Sequence, residues 1–287
     1  MKLIMKIILF ANTYRNYELF RKDLILKLIQ QKYQIILIIP NHEKINKIDD
    51  SIQILKIDLK THNKNPFQEL KTFYQIFKIY KNVMPDYTFL FTIKPNLYGS
   101  IICSLLKIKY INNITGLGTA FIRYKKIRKI FILLYKICLY NSHHVFFQNI
   151  YDLRYFRKKN IVKNKYTLIP GSGVDINYYK KDNKNETEFK NINFIFIGRL
   201  IEEKGILNYL YAANKIKQNY KDVNFYVAGS FDNENSKKIN KNQINKYIEN
   251  KSIIYLGFKE NIKDILNNCH CIILPSYREG MSHSLLI

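Results

Sequence analysis

Short, nearly continuous apolar runs alternate with longer amphipathic stretches along almost the whole chain, and this alternation leaves few folds open. The runs at 4–10, 34–39, 52–57, 87–92 and 110–113 are too short for helices. A short apolar run without polar alternation suits a parallel strand covered on both faces. Between the first two runs, Leu19, Phe20, Leu24, Ile25, Leu28 and Ile29 fall at helical spacing within 17–31. The same pattern recurs over 67–81, 97–107 and 127–140, and a strand is expected at 145–147. A second series carries strands at 193–198, 224–228, 253–256 and 271–275, with helices near 204–218, 236–250 and 262–268. Such alternation predicts an α/β chain of two doubly wound, Rossmann-like domains. A turn-rich and then polar segment at 171–190 separates them, which gives an N-terminal domain at 1–180 and a second at 181–287. The second series breaks off at Ile287 where a helix is due, so the expectation is an incomplete second domain in a C-terminally truncated chain.

Composition removes other classes. Hydrophobic residues make up 47% of the 287, too many for a disordered chain. No apolar window approaches the ~18 residues of a membrane-spanning helix. Lys6 interrupts the first run and no small-residue cleavage site follows it, so a buried first strand explains it better than a signal peptide. The expected location is cytoplasmic. Four cysteines in a chain of this length do not make a disulfide framework. Cys269-His270-Cys271 lacks zinc-knuckle spacing and a second Cys/His pair, and reads as two buried cysteines entering a strand.

Charge is unevenly spread. Residues 1–180 hold 31 Lys and Arg against 10 Asp and Glu, whereas 181–287 hold 16 against 12. Between Asp86 and Asp152 there are nine cations and no carboxylate. Such a field favours an anionic partner, whether lipid, membrane surface or nucleic acid; the plain alternative is a solvated basic face.

Two segments carry chemistry. In the first, a buried strand ends at Gly198, and Arg199 and Lys204 bracket a loop that opens a helix at Gly205. Doubly wound sheets bind ligands at the carboxyl ends of their strands, helix N-termini attract anions, and two cations add charge-assisted bonds to phosphates. This reads as a diphosphate site, though without the spacing of a P-loop or a GxGxxG turn; two surface cations flanking a helix is the alternative. In the second, the strand before Pro275 leads to Glu279-Gly280-Met281-Ser282. A carboxylate beside a glycine turn suits hydroxyl recognition on a sugar.

At these residues the chain resembles the family 4 glycosyltransferases of the GT-B fold. Gly198-Arg199-Leu200 with Lys204-Gly205 resembles that family's diphosphate clamp, and Val227-Ala228-Gly229-Ser230 its second strand and turn. Tyr255-Leu256-Gly257-Phe258 is similar to the segment flanking the nucleotide base. Pro275-Ser276-Tyr277-Arg278-Glu279-Gly280 is similar to the start of its two-glutamate motif. Thr115-Gly116-Leu117-Gly118 resembles a loop of bacterial members that extend lipid-linked oligosaccharides.

The resemblance implies a retaining transferase that takes a sugar from a nucleotide-sugar, UDP-linked or otherwise, without an essential metal or other cofactor. Arg199 and Lys204 would stabilise the leaving diphosphate and Glu279 would contact the donor sugar, these three being the catalytic set. Gly198, Gly229, Phe258, Gly280, Met281 and Ser282 would complete the donor site. The acceptor would be an undecaprenyl-diphosphate-linked or surface-polysaccharide glycan at the inner face of an anionic membrane. Lys94, Gly116, Gly118, Arg123, Lys125, Lys126, Arg128 and Lys129 would face it, with the helix at 127–140 either lying on the bilayer or serving as an ordinary core helix.

Two departures stand out. The family's second glutamate falls at position 287, here Ile287, and Thr92-Ile93-Lys94-Pro95-Asn96 replaces a histidine loop after the fourth strand. The alternative is therefore a catalytically inactive remnant that keeps lipid or partner binding. Nucleic-acid binding lacks any recognised module, and a nicotinamide dehydrogenase lacks the glycine turn after the first strand.

Overall fold

The computed structural model describes residues 4–43, 45–59, 65–117, 125–163, 165–180, 191–231, 239–277 and 279–287. It divides into two compact units, 1–173 and 174–287. The division falls just after the 169–173 turn, slightly ahead of the 180/181 boundary expected from the polar segment.

In the first unit the described elements are β1 (Lys6–Phe10), α1 (Tyr14–Phe20), α2 (Lys22–Gln30), β2 (Gln34–Pro40), β3 (Gln53–Ile57), α3 (Pro66–Val83), β4 (Tyr87–Phe91), α4 (Ile93–Leu106), β5 (Lys109–Ile114), α5 (Lys125–Tyr140), β6 (His144–Phe147), α6 (Ile150–Lys158) and β7 (Tyr166–Leu168). The strands pair in parallel in the order β3-β2-β1-β4-β5-β6-β7. The order therefore reverses between β1 and β4. Alternate residues of β1 and β2 serve opposite faces, as the two-residue period of a strand requires. Ile8, Phe10, Ile36 and Ile38 pack with Ile76 and Tyr80 of α3 and Ile102 and Cys103 of α4. Ile7, Leu9, Ile35 and Leu37 pack with Tyr14 and Tyr17 of α1 and Ile25 of α2. Both faces are covered, which is why the runs show no polar alternation.

The helix expected as one piece over 17–31 is two. The chain leaves helical geometry at Arg21, where φ is −134°. The Arg21 side chain turns inward, 5% exposed. Its guanidinium stacks 4.4 Å from the Phe91 ring centroid and donates to Ser172 Oγ at 2.9 Å. Burial lowers its pKa to about 10, so it stays charged at neutral pH. Helix α4 starts four residues before the expected 97. Pro95 fits its first turn, where an N–H has no helical acceptor in any case.

The second unit contains α7 (Ile176–Tyr179), β8 (Ile192–Ile197), α8 (Ile206–Asn219), β9 (Val223–Ala228), α9 (Lys241–Glu249), β10 (Ile254–Gly257), α10 (Lys263–Leu266) and β11 (Cys271–Ile272). These strands are also parallel, in the order β10-β9-β8-β11. Phe196, Leu200, Ile206, Tyr209, Leu210, Phe225 and Val227 form its core. The expectation of two buried cysteines is corrected here: Cys269 is half-buried and Cys271 exposed. Strand β11 is an edge of the described sheet and spans two residues. His270 is used locally, its Nδ1 accepting the Asn193 N–H at 3.0 Å. Asp175 accepts the Asn177 and Tyr178 N–H groups and so caps α7. No helix among the described residues is long and apolar enough to cross a membrane.

The carboxyl ends of β1 and β2 are fastened by one hydroxyl. Tyr17 Oη accepts the Ala11 N–H at 2.7 Å and lies 2.9 Å from Leu9 O and 2.8 Å from Ile38 O, fully buried. Tyr17→Phe strands the buried Ala11 N–H. It is expected to cost about 1–3 kcal/mol, measured by urea unfolding, with the packing of the ring retained.

Candidate functional site at the carboxyl edge of the second sheet

Strands β8 and β11 are neighbours, and the order of the second sheet reverses between them. This is the position at which open α/β sheets leave a crevice for ligands. The loop after β8 and the loop after β11 supply the side chains that the sequence singled out.

Their backbones are tied together. After Gly198 and Arg199 the chain makes a single 3-10 turn, Glu202–Lys204, and then Gly205 at φ +72° opens α8. The Glu203 carbonyl accepts the Tyr277 N–H and the Ser276 hydroxyl, both at 3.0 Å. A Cβ built on Gly205 would lie 1.9 Å from the Pro275 carbonyl oxygen. Only glycine permits both this backbone conformation and this approach. A second close approach joins the next strand. A Cβ on Gly229 would lie 1.8 Å from Gly198 O. The Gly198 N–H donates to Ala228 O at 3.0 Å, the Gly229 N–H to Gly257 O at 2.9 Å, and the Tyr255 hydroxyl to Gly229 O at 2.9 Å. The carboxyl ends of β8, β9 and β10 therefore form one stitched platform.

On this platform Lys204 Nζ and Glu279 Oε1 are 2.5 Å apart. The two side chains are 24% and 25% exposed. The fold thus brings together two residues separated by 75 positions that the sequence had assigned to diphosphate and sugar. Arg199 is exposed on the same loop. Phe258 follows β10 at the same edge, 45% exposed. Gly280, Met281 and Ser282 continue from Glu279, with Ser282 Oγ 3.2 Å from Ser284 Oγ. Lys204 and Glu279 meet beside the N-terminus of α8, with Arg199 exposed on the same loop. Such an arrangement can hold a diphosphate, stabilise charge developing on it, and accept a hydroxyl from a group attached to it.

Sequence reasoning missed Glu203. Both of its carboxylate oxygens are buried without a hydrogen-bond partner among the described residues. Its carbonyl makes the tie between the loops. Nothing in the sequence separates it from the adjacent Glu202, because the contact depends on a loop more than 70 residues later.

The first unit places the remaining residues as follows. Lys94 lies in the first turn of α4, and its Nζ meets Glu69 Oε1 at 2.7 Å, both side chains largely buried. The Tyr98 hydroxyl donates to the other Glu69 oxygen. Lys94 therefore has a compensating carboxylate that the sequence did not reveal. Before it, Thr92 adopts φ 68° and ψ 172°, a conformation normally left to glycine and a marker of strain at functional edges. Gly116 follows β5 at the same edge. Gly118 and Arg123 lie outside the described residues, as do the side chains of Lys125 and Lys126. Arg128 is half-buried and Lys129 exposed on α5.

Comparisons with known proteins give the family and the fold. The family described as "Glycosyl transferase 4-like" matches residues 6–149, and "Glycosyl transferases group 1" matches residues 179–286. One similar protein is the N,N'-diacetylbacillosaminyl-diphospho-undecaprenol alpha-1,3-N-acetylgalactosaminyltransferase of Campylobacter jejuni. It is 26% identical over 283 residues, covering 93% of this chain and 73% of that protein. Among solved structures, sucrose-phosphate synthase of Thermosynechococcus elongatus superposes with a TM-score of 0.74 at 12% identity, over 98% of this chain and 77% of that one. Anabaena HepE, solved with UDP and glucose, gives 0.69 at 14% identity, over 95% and 74%. These two likenesses show the GT-B fold.

Gly205→Ala forces both a positive φ and a backbone clash. It is expected to cost about 1–3 kcal/mol or more and to lower the thermal unfolding midpoint of the second unit.

Proposed function

This chain belongs to the glycosyl transferase 4-like family and is a glycosyltransferase, and we propose that it moves a sugar from a UDP-sugar to a lipid-diphosphate-linked glycan. The observation that carries this reading is the Lys204–Glu279 pair at the β8/β11 crevice. Diphosphate departure develops negative charge, and preorganised cations stabilise that charge without reorganising. Arg199 and Lys204, on the loop that leads into the α8 N-terminus, supply those cations. Glu279 accepts hydroxyl hydrogens of the donor sugar. The UDP assignment is supported by the UDP bound to HepE, and the acceptor class by the name of the Campylobacter relative. On this reading the sugar keeps its α configuration and the charge stabilisation comes from side chains and backbone dipoles, without an essential metal.

Helix α5 supports action at a membrane surface. Its inward face, Tyr135, Cys138 and Leu139, belongs to the core, so it is a core helix on that side. On the outside, Ile130, Leu133, Ile137 and Tyr140 are 56–87% exposed. Lys129 and Lys136 flank them, and the helix carries no carboxylate. An apolar stripe among cations suits the headgroup region of an anionic leaflet. The protein then works peripherally, on the cytoplasmic face.

Calorimetric titration with UDP tests the donor half of this proposal. Arg199→Ala and Lys204→Ala are each expected to loosen UDP by about 10–100-fold, and unaltered affinity in both would refute the site. Transfer assays with UDP-N-acetylhexosamines and a short polyprenyl-diphosphate glycan test the reaction itself.

For the membrane half, Leu133→Asp with Ile137→Asp is expected to reduce sedimentation with phosphatidylglycerol vesicles several-fold. Binding to neutral phosphatidylcholine vesicles should be weak for both forms. Equal binding to both vesicle types would count against the anionic surface.

A further inference from the structure

We propose that the Lys204–Glu279 ion pair is an exchange device that makes the site favour a nucleoside diphosphate still carrying its sugar over the bare diphosphate. This rests on the donor reading above and extends it to selectivity and product release.

The two side chains meet directly. Lys204 Nζ sits 2.5 Å from Glu279 Oε1, and both side chains are about three-quarters buried, where solvent screens the attraction only in part. The pair does not form by chance encounter of flexible arms. Its two loops are fixed by the bonds from Ser276 and Tyr277 to the Glu203 carbonyl and by the Gly205–Pro275 approach. A diphosphate that recruits Lys204 must therefore draw it from Glu279. The carboxylate then gives up its ion pair with Lys204 beside added negative charge, which is unfavourable.

A sugar on the diphosphate changes the balance. Its hydroxyls donate to the released carboxylate and restore a charge-assisted bond. The intact nucleotide-sugar satisfies both partners, whereas the bare nucleotide satisfies only Lys204. Once the sugar has been transferred, Glu279 has lost its donors and competes again for Lys204, which speeds departure of the nucleoside diphosphate. Glu279 is on this account a selectivity residue as well as a sugar contact.

The test is a double-mutant cycle on the 287-residue chain, using UDP and UDP-N-acetylgalactosamine as probes in calorimetric titration. Glu279→Gln removes the competing charge and keeps the shape; Glu279→Ala is a second form should the first fold poorly. Either is expected to bind UDP about three- to tenfold more tightly than the parent chain. Its preference for UDP-N-acetylgalactosamine over UDP should fall by about tenfold or more. In a Lys204→Gln background the tightening of UDP should vanish. UDP affinity unchanged or weakened by both Glu279 substitutions, with the parent chain binding UDP, would overturn the exchange and leave the donor site standing. Failure of the parent chain to bind UDP would overturn the nucleotide reading and the exchange together.

Discussion

One backbone carbonyl, that of Glu203, holds the second unit's crevice in shape. It takes hydrogen bonds from both Ser276 and Tyr277, and so binds the loop after β8 to the loop after β11. Without that tie, Lys204 and Glu279 would be flexible side chains on separate loops, and an exposed ion pair of that kind contributes little. With it, they face each other at fixed distance at the strand-order reversal. Gly205 and Gly229 are the steric counterpart, since each stands where any Cβ would strike a carbonyl oxygen. The chemistry of the site thus depends on backbone placement first and on side-chain identity second.

The first unit uses the same architecture differently. Its reversal lies between β1 and β4, and the loop after β4 is strained at Thr92 and polar beyond it. Lys94 is held by Glu69, and Arg21 is stacked on Phe91 and bonded to Ser172, so two cations near that edge are occupied in holding the fold. The excess charge of 1–180 is better represented by α5, whose outer face combines exposed cations with exposed apolar side chains. A basic composition therefore says less about the partner than the location of the cations that remain on the surface.

Much of this was legible in the sequence because apolar periodicity reports burial. The strands at 34–39, 87–92 and 224–228 and the helices over 67–81 and 127–140 are found within a few residues of expectation, since each has one covered face or two. The residues proposed for the donor site could be singled out because they follow strand ends at short, fixed spacing. What escaped depends on distant parts of the chain. The break at Arg21 needs Phe91 and Ser172, the pairing of Lys94 needs Glu69, and the role of Glu203 needs the 275–277 loop. Exposure of Cys271 is likewise a matter of what packs over β11, which no local pattern reveals.

The central claim is that a nucleoside diphosphate lodges at the carboxyl edge of β8 and β11. Amide hydrogen exchange of the intact chain, measured with and without UDP, tests it most directly. The account predicts added protection confined to the amides of 198–206 and 275–282, with the first unit's β1 and β4 loops unchanged. Protection centred on those first-unit loops, or none at 198–206, would contradict it.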